Sequence, residues 1–337
     1  MARIEVRSAA RAYYGHLSPF LFSLCFAGAL LVEGMSFLFG FKTQALRPAS
    51  VLALIVLCLT LRLPTFLRRR PWLVVPVETF VAVVVILDIT LILPWQAQAF
   101  ALPLVDDLIR TLDLAVGFDH VAWMAWLNRR PDIVQVFTIC YKSMIPQTIV
   151  IIVLCLVTGR VRRLDSYLCA FVLAIFLTSA VSILLPTRGI VAILDPALRG
   201  TVAWPFAATD VATYDALRSG ALRDLFGVPT LGIVSFPSFH AASAVLGAWA
   251  FWLWPATRYP ALALNLTMAV ASIGCGAHYL MDILVGFCIA IGSIGLAVYG
   301  SDLSYTAFSK LARRLFTRGA FDGWVRMGGG GASRART

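Results

Sequence analysis

The sequence predicts an all-α membrane protein, a polytopic transmembrane helical bundle of about eight spans, with six as the lower limit. Of its 337 residues, 60% are hydrophobic and only 13% are charged, which is too apolar for an ordinary soluble globule. Apolar runs of about twenty residues recur along the chain, and each is long enough to cross ~30 Å of hydrocarbon. The alternating ten-residue segments of a transmembrane barrel are absent from the sequence.

The apolar runs define the expected order of elements. The expected spans are 20–41, 49–63, 72–93, 132–157, 166–185, 237–254, 257–275 and 279–300. The first run is longer than the apolar part of a signal peptide, so we expect a retained helix. Residues 94–131 combine tryptophans with charges and are expected to form interfacial helices. Residues 186–236 form the longest loop, which is typical of a lid or binding element.

The net charge of +11 is explained by the membrane rather than by nucleic acid. Arginines cluster before the first span, at 62–70, at 160–163 and in the C-terminal tail, whereas no aromatic-basic nucleic-acid module is present. This bias predicts an integral protein of the bacterial inner membrane with both termini cytoplasmic. The seven cysteines lie in or beside apolar runs without a C-x-x-C pair, so we expect buried, structural thiols.

The stretch Ser235-Phe-Pro-Ser-Phe-His240 is a candidate phosphate-binding element. Proline is favoured at the first helical position and serine as a cap, so we expect a helix to begin near Pro237, with His240 in its first turn. The first N–H groups of a helix lack partners and lie at its positive end, which suits a phosphate. Ser238 can add a hydroxyl donor. The same residues also fit a capped helix start without further function.

A histidine and an aspartate lie four residues apart at the start of the last apolar run, in Gly274-Cys-Gly-Ala-His278 and Asp282. We expect the glycines to separate two spans and His278 to open the last helix. Residues i and i+4 of a helix share a face, so Asp282 can bind one ring nitrogen and leave the other free to attack. The alternative is that His278 and Asp282 form a purely structural pair. The presence of a second histidine, His240, at the same membrane face disfavours this alternative.

Other polar side chains lie near this outer face. Arg188 follows a span and can either clamp a phosphate with two parallel hydrogen bonds or anchor the chain at the interface. Tyr141 and Lys142 lie in the outer half of a span, and Lys142 can point into the site or extend outwards to water. His16 and His120 are expected to be interfacial rather than catalytic.

These motifs resemble those of the type 2 phosphatidic acid phosphatase (PAP2) superfamily, in particular the branch similar to inositol phosphorylceramide synthase and sphingomyelin synthases. That branch carries a P-S-x-H-like motif and then G-x-H-Y-x-x-D on consecutive helices. Here the two motifs are Pro237–His240 and Gly276–Asp282. The run L-D-L-A-V-G-F-D around Asp113 and the region of Tyr141 are similar more weakly. The resemblance is best over residues 185–290.

The resemblance implies a PAP2-like core of helices in the C-terminal half and therefore three parts of the chain. Residues 1–131 hold the N-terminal transmembrane helices and the interfacial segment, and residues 132–305 form the catalytic transmembrane domain. Residues 306–337 form a basic cytoplasmic tail, whose glycine-rich end is expected to be disordered.

The resemblance also implies catalysis by two histidines and an aspartate, without metal or cofactor. His278 would attack a phosphoryl group and form a phosphohistidine, while Asp282 orients it. His240 would protonate the leaving oxygen and then activate water or an acceptor alcohol. The implied phosphate-binding residues are Arg188 and Ser238 and, more weakly, Lys142 and Tyr141.

The chain departs from the wider superfamily in residues that usually bind phosphate. Val181 replaces a lysine seven residues before Arg188, and Gly189 replaces the proline after that arginine. Phe239 replaces the glycine of a P-S-G-H motif, and Ser272 replaces an arginine six residues before the second histidine. Positive charge must then come from elsewhere. The candidates are Arg188, Lys142, Arg218 and Arg223.

The predicted function is hydrolysis of a lipid or polyprenyl phosphate at the periplasmic membrane face, with membrane lipids as partners. If an alcohol resolves the phosphohistidine, the protein is instead a headgroup phosphotransferase similar to inositol phosphorylceramide or sphingomyelin synthase. A haem-binding electron carrier is disfavoured because both histidines lie at one membrane edge. A proton-coupled transporter, with His278 and Asp282 as relay, is disfavoured by the absence of sequence repeats.

Overall fold

The fold is helical throughout the described residues, which confirms the predicted all-α class. The computed structural model describes residues 16–42, 51–53, 55–56, 70–192, 211–225, 228 and 232–328. Within these ranges the extended structure amounts to one isolated bridge between Lys42 and Asp224. The predicted disordered end, after residue 328, lies outside the described residues, and residues 306–328 continue the last helix.

The connections between the described helices range from a single residue to long segments. In chain order they are α1 (Pro19–Phe39), α2 (Pro71–Ala97), α3 (Asp106–Ala115), α4 (His120–Asn128), α5 (Pro131–Lys142), α6 (Met144–Val157), α7 (Val161–Leu184), α8 (Val211–Ser219), α9 (Phe239–Phe251), α10 (Arg258–Cys275) and α11 (Leu280–Gly328). Short 3₁₀ turns follow α2 and α7. The segment predicted to be interfacial contains the short helices α3 and α4, and α8 lies within the long loop predicted at 186–236.

Several helices are long and apolar enough to cross a membrane. Among the described residues they are α1, a stretch from Trp72 to Phe100 that begins within α2, α7 and the Leu280–Ala307 part of α11. The pair α5 and α6 would add a fifth span if the two are counted together. The expected span at 49–63 lies mostly outside the described residues, so the total of eight stays a prediction.

Two expected spans differ from the helices observed. The run 237–254 contains α9, which has only 13 residues and is therefore about 20 Å long. The run 132–157 is divided at Ser143, where α5 and α6 meet at a bend of 44°. Pro146 follows the bend and has no N–H to donate to the carbonyl group of Lys142, so a continuous helix would lose a hydrogen bond here.

Helix α7 forms the centre of the bundle. It packs against α1, α2, α6, α9 and α11. Small side chains such as Ala170, Ala174 and Ser179 are buried along it, which permits the close approach that drives helix association in lipid. Large apolar side chains such as Phe37 and Phe80 are exposed on the outside of the bundle, as expected where the solvent is hydrocarbon.

His16 belongs to a buried polar cluster at the starting end of α7, and its interfacial depth stays a prediction. Its Nδ1 lies 3.2 Å from Oε1 of Glu78, and its backbone carbonyl accepts a 2.8 Å hydrogen bond from Tyr305. Asp165, in the first turns of α7, accepts the backbone N–H of Ser18 at 2.6 Å. These partners lie far apart in the sequence, so the periodicity of single spans did not reveal them.

Candidate active site

His278 is bound through one nitrogen by two acceptors. Its Nδ1 lies 2.8 Å from the carbonyl oxygen of Ser235 and 3.1 Å from Oδ2 of Asp282. A carbonyl oxygen can only accept, so Nδ1 carries a hydrogen, and in the neutral ring the lone pair then lies on Nε2. His278 is 3% exposed and Asp282 is fully buried. The expected contact between these two residues is present.

That contact does not arise from the helical spacing that the sequence suggested. Helix α11 begins at Leu280, so His278 lies before the helix and not in its first turn. Helix α10 ends at Cys275, Gly276 caps it, and Ala277 has φ 59° in the left-handed region. The expected break between the last two spans is therefore confirmed, and this turn brings the imidazole next to the first turn of α11.

Asp282 also closes the first turn of its own helix. Its Oδ2 accepts the backbone N–H of Tyr279 at 3.0 Å and the hydroxyl of Ser235 at 2.9 Å. An acidic side chain three residues after the helix cap often binds the cap's N–H in this way. One carboxylate oxygen therefore holds the helix start, the preceding loop and the imidazole in a single arrangement.

His240 lies in the first turn of α9, as predicted, although the helix begins later than expected. The helix starts at Phe239, two residues after Pro237, and a cis peptide bond joins Phe236 to Pro237. Ser238 is the cap, and its hydroxyl accepts the N–H of Ala241 at 3.2 Å. The Ser238 side chain is fully buried, whereas His240 is half-buried.

Tyr141 connects the two histidines. Its ring stacks on that of His240, with centroids 3.9 Å apart and an interplanar angle of 13°. Its hydroxyl lies beside His278, because a methyl group on Gly276 would be 2.9 Å from Tyr141 Oη and 2.8 Å from His278 Cδ2. The same tyrosine side chain therefore contacts His240 through its ring and lies near His278 through its hydroxyl. Residues far apart in the sequence thus form one site at a single end of the bundle.

Direct backbone contact between α9 and α11 fixes the distance between the two motifs. The N–H of Ser238 donates to the backbone carbonyl of Asp282 at 3.0 Å. One turn later Gly286 faces the start of α9, where a β-carbon would lie 2.5 Å from the carbonyl oxygen of Ser238. The absence of a side chain at Gly286 therefore permits the close approach of the two helices.

The family of the chain follows from a comparison with protein-family models. The model described as the PAP2 superfamily matches residues 107–296, which is more than half of the chain. The chain belongs to the PAP2 superfamily. The matched range contains all the residues of the site described above. No curated protein and no solved structure matches the chain significantly.

The PAP2 match begins within α3, upstream of the expected catalytic domain, and α3 supplies a residue that sequence reasoning did not assign to the site. Asp113 is fully buried and accepts the N–H groups of Leu280 and Met281 at 2.8 and 2.9 Å. It therefore caps α11 from a different helix. Its Oδ2 also pairs with Nε2 of the buried His120, whose interfacial, non-catalytic role stays a prediction.

Asp106, seven residues earlier on α3, holds the other loop of the PAP2 site. Its carboxylate accepts the N–H groups of Arg188 and Gly189 and the hydroxyl of Tyr279 at 3.0–3.1 Å. Burial, together with the neighbouring Asp106 carboxylate, raises the pKa of Tyr279, so its hydroxyl stays protonated and donates. Residues seven positions apart in a helix share a face. The spacing of Asp106 and Asp113 was therefore the signal in the sequence that both carboxylates lie on one face of α3.

Arg188 lies at the rim of the site, and its side chain is paired. Its Nε and Nη2 lie 2.9 and 2.8 Å from Oδ1 of Asp215 on α8. Both side chains are more than a third exposed, so solvent screens this pair. The phosphate-binding role of Arg188 stays a prediction. It requires the guanidinium to leave the Asp215 carboxylate and bind the phosphate instead.

The other basic residues expected near the phosphate have different surroundings. Arg218 donates to the carbonyl group of Leu102, and Arg223 donates to that of Leu217, so both hold loops together. Lys142 is exposed at the end of α5. Its predicted role, like those of Ser238 and Tyr141, stays a prediction. In the described part of the chain, no three His, Cys, Asp or Glu side chains are arranged to hold a metal ion.

Proposed function

We propose that this PAP2 superfamily protein is a membrane-embedded phosphatase that hydrolyses a lipid or polyprenyl phosphate through a phosphohistidine. The observation that carries the proposal is the orientation of His278, whose Nδ1 is bound by Ser235 and Asp282. This leaves Nε2 as the electron donor, with a second imidazole nearby. Family membership supports the proposal, because members are generally phosphatases or phosphotransferases.

In the first step, Nε2 of His278 forms a bond to phosphorus while the bond from phosphorus to the lipid oxygen breaks. The negative charge of the bound phosphate favours the protonated form of the neighbouring His240. His240 then transfers its proton to that oxygen as it leaves. The imidazole of His278 becomes positively charged, and the buried carboxylate of Asp282 stabilises that charge. Stacking on Tyr141 restricts the ring of His240 to one plane, which favours transfer in a fixed direction.

In the second step, His240 accepts a proton from water as the water oxygen bonds to phosphorus and the phosphorus–nitrogen bond breaks. Phosphate leaves, His240 is protonated again and His278 is neutral. If an alcohol takes the place of water, the product from a lipid phosphate is a new phosphomonoester. In a headgroup phosphotransferase the substrate would instead be a phosphodiester lipid: its headgroup phosphate would move to His278 as the bond to the lipid oxygen breaks, and an acceptor alcohol would then form a new phosphodiester. The two motifs that resemble the inositol phosphorylceramide and sphingomyelin synthase branch support this second candidate.

The phosphate itself would be bound at the start of α9. The first N–H groups of that helix, whose first turn Ser238 caps and His240 occupies, form a positive end. Arg188 would join the phosphate by leaving Asp215, and Lys142 and Tyr141 would contribute more weakly. These donors would replace the positive charges that the wider superfamily places at Val181 and Ser272.

The site would face the periplasm, with both termini in the cytoplasm. The arginines at 160–163 begin α7, at the end of the bundle away from the histidines, and positively charged residues favour the cytoplasmic side. α9 alone extends about 20 Å from the site towards that side, so the histidines would lie near the outer limit of the hydrocarbon.

The test is to trap the covalent intermediate. Detergent-solubilised full-length protein is mixed with ³²P-labelled lipid phosphates, quenched and analysed for an acid-labile, alkali-stable phosphoprotein. The wild type and Asp282→Asn should form it, the latter more slowly, and His278→Ala should form none. His16→Ala is the matched control, because it also removes a buried histidine that pairs with a carboxylate, but at the other end of the bundle. Retention of the label in His278→Ala would refute the assignment.

The fate of the label distinguishes the two candidate reactions. Release as inorganic phosphate in water alone indicates hydrolysis, whereas release only after addition of a lipid or polyol alcohol indicates transfer. The absorbance spectrum of the purified protein tests the haem alternative, and proton flux in proteoliposomes tests the transporter. Membership of the PAP2 superfamily favours neither of those two classes.

A further inference from the structure

A second site lies at the opposite end of the bundle. A cavity of about 900 Å³ opens where the starting ends of α2 and α7 meet the end of α9 and the middle of α11. Val298 of α11 is one of its lining residues. His278 lies just before the start of α11, and Val298 lies about 27 Å further along that helix. The charged and aromatic side chains of the lining are Trp72, Arg160, Arg162, Arg163, Trp249 and Asp302.

The cavity lining is positively charged. Three arginines face one aspartate there, and the three are consecutive or nearly so at the start of α7. Arg160 and Arg162 are exposed, so an anion that enters the cavity can reach them. A single carboxylate, that of Asp302, does not neutralise this group of guanidinium ions.

Arg163 provides the most specific observation. Its guanidinium lies 4.0 Å from the centre of the Trp249 ring, which holds it in the cavity wall. Its Nη1 is shielded from solvent and has no hydrogen-bond acceptor among the described residues. A buried charged donor without an acceptor is costly, which favours an anionic ligand at this position.

The remaining walls define the type of anion. They are apolar, formed by side chains such as Val75, Leu156 and Leu253, and two tryptophans border them. Tryptophan favours the depth at which lipid headgroups meet the acyl chains, and basic cavities between transmembrane helices bind phosphate headgroups there. We propose that this cavity binds the headgroup phosphate of an anionic phospholipid from the leaflet opposite the histidine site, with the acyl chains along the apolar walls.

The test is lipid binding to the full-length protein, measured by native mass spectrometry during titration with phosphatidylglycerol or phosphatidylcholine. The wild type should bind phosphatidylglycerol at least tenfold more tightly. Arg163→Gln should reduce that affinity about fivefold or more. Arg258→Gln is the matched control, because Arg258 lies at the same end of the bundle, outside the cavity, and donates to the carbonyl group of Trp252. It should change the affinity less than twofold.

Two further measurements keep the result decisive. If Arg163→Gln does not fold, Arg160→Gln replaces it, since Arg160 is exposed at the cavity entrance and its loss should weaken binding in the same direction. A photoactivatable phosphatidylglycerol should label peptides that contain Trp72, residues 160–166 or Trp249. Equal affinity for the two lipids, unchanged affinity in both variants, or labelling confined to other peptides would each overturn the proposal. Displacement of the lipid by millimolar inorganic phosphate would also overturn it, because it would indicate a site for a soluble anion.

Discussion

Gly286 offers the sharpest test of how the site is assembled. In the Gly286→Ala variant the new methyl group would lie 2.5 Å from the carbonyl oxygen of Ser238 and 3.1 Å from Cβ of Ala241. Real β-carbons essentially never approach within 3.0 Å of such an atom, so α9 and α11 must separate by at least several tenths of an ångström. Neither obstacle is a flexible side chain, since one is backbone and the other is a single methyl group.

This separation acts directly on the reacting groups. α9 carries His240 in its first turn, and α11 carries Asp282 and determines the position of His278. Misplacement of catalytic groups by about 1 Å can reduce turnover ~100-fold. For Gly286→Ala we therefore expect turnover of a lipid phosphate to fall about 10- to 100-fold. The assay is phosphate release from a lipid phosphate in mixed micelles, with thermal unfolding measured on the same sample.

Gly292→Ala is the matched control in the same helix. A β-carbon at Gly292 would meet nothing within 4 Å, so the change only improves helix propensity, by about 1 kcal/mol. We expect unchanged turnover and equal or greater stability for this variant. Full turnover in Gly286→Ala would refute the reasoning, because the helices would then not need this close approach. An equal loss in both variants would refute it as well.

Three further predictions concern other parts of the site. Asp113→Asn should lower the unfolding free energy by about 2–4 kcal/mol and turnover about tenfold, because the start of α11 loses a charged acceptor. Denaturant unfolding measures the first effect and phosphate release the second. The control is Asp107→Asn, an exposed position on the same helix, which should change neither. Arg188→Ala should mainly raise KM, whereas Asp215→Asn should lower it by freeing the guanidinium; an unchanged KM in both would leave Arg188 as a surface anchor. Incubation with EDTA should leave turnover unchanged, and a loss restored by a divalent cation would contradict the metal-free mechanism.

The sequence was informative where chemistry and spacing are local. It indicated the contact of His278 with Asp282, the helix start at His240 and the break after Cys275, because cap and turn residues act on their near neighbours. It did not reveal the pairing of His16 with Glu78 or of His120 with Asp113, because these carboxylates come from other elements. Asp106 and Asp113 escaped assignment for the same reason, since their acceptor roles depend on N–H groups about 80 and 170 residues further along the chain.

The sequence by itself determined the class of this protein and supplied the candidate reactive side chains. The length of the apolar runs requires membrane-spanning helices, and the two short motifs supply imidazoles, a carboxylate and a helix start. Tertiary structure alone decided that Tyr141 lies between the histidines, that α3 holds the start of α11, and that a positively charged cavity lies at the far end. The physical reason is that packing between helices depends on side-chain volume and unsatisfied hydrogen-bonding groups on several segments at once, which the periodicity of one segment does not contain.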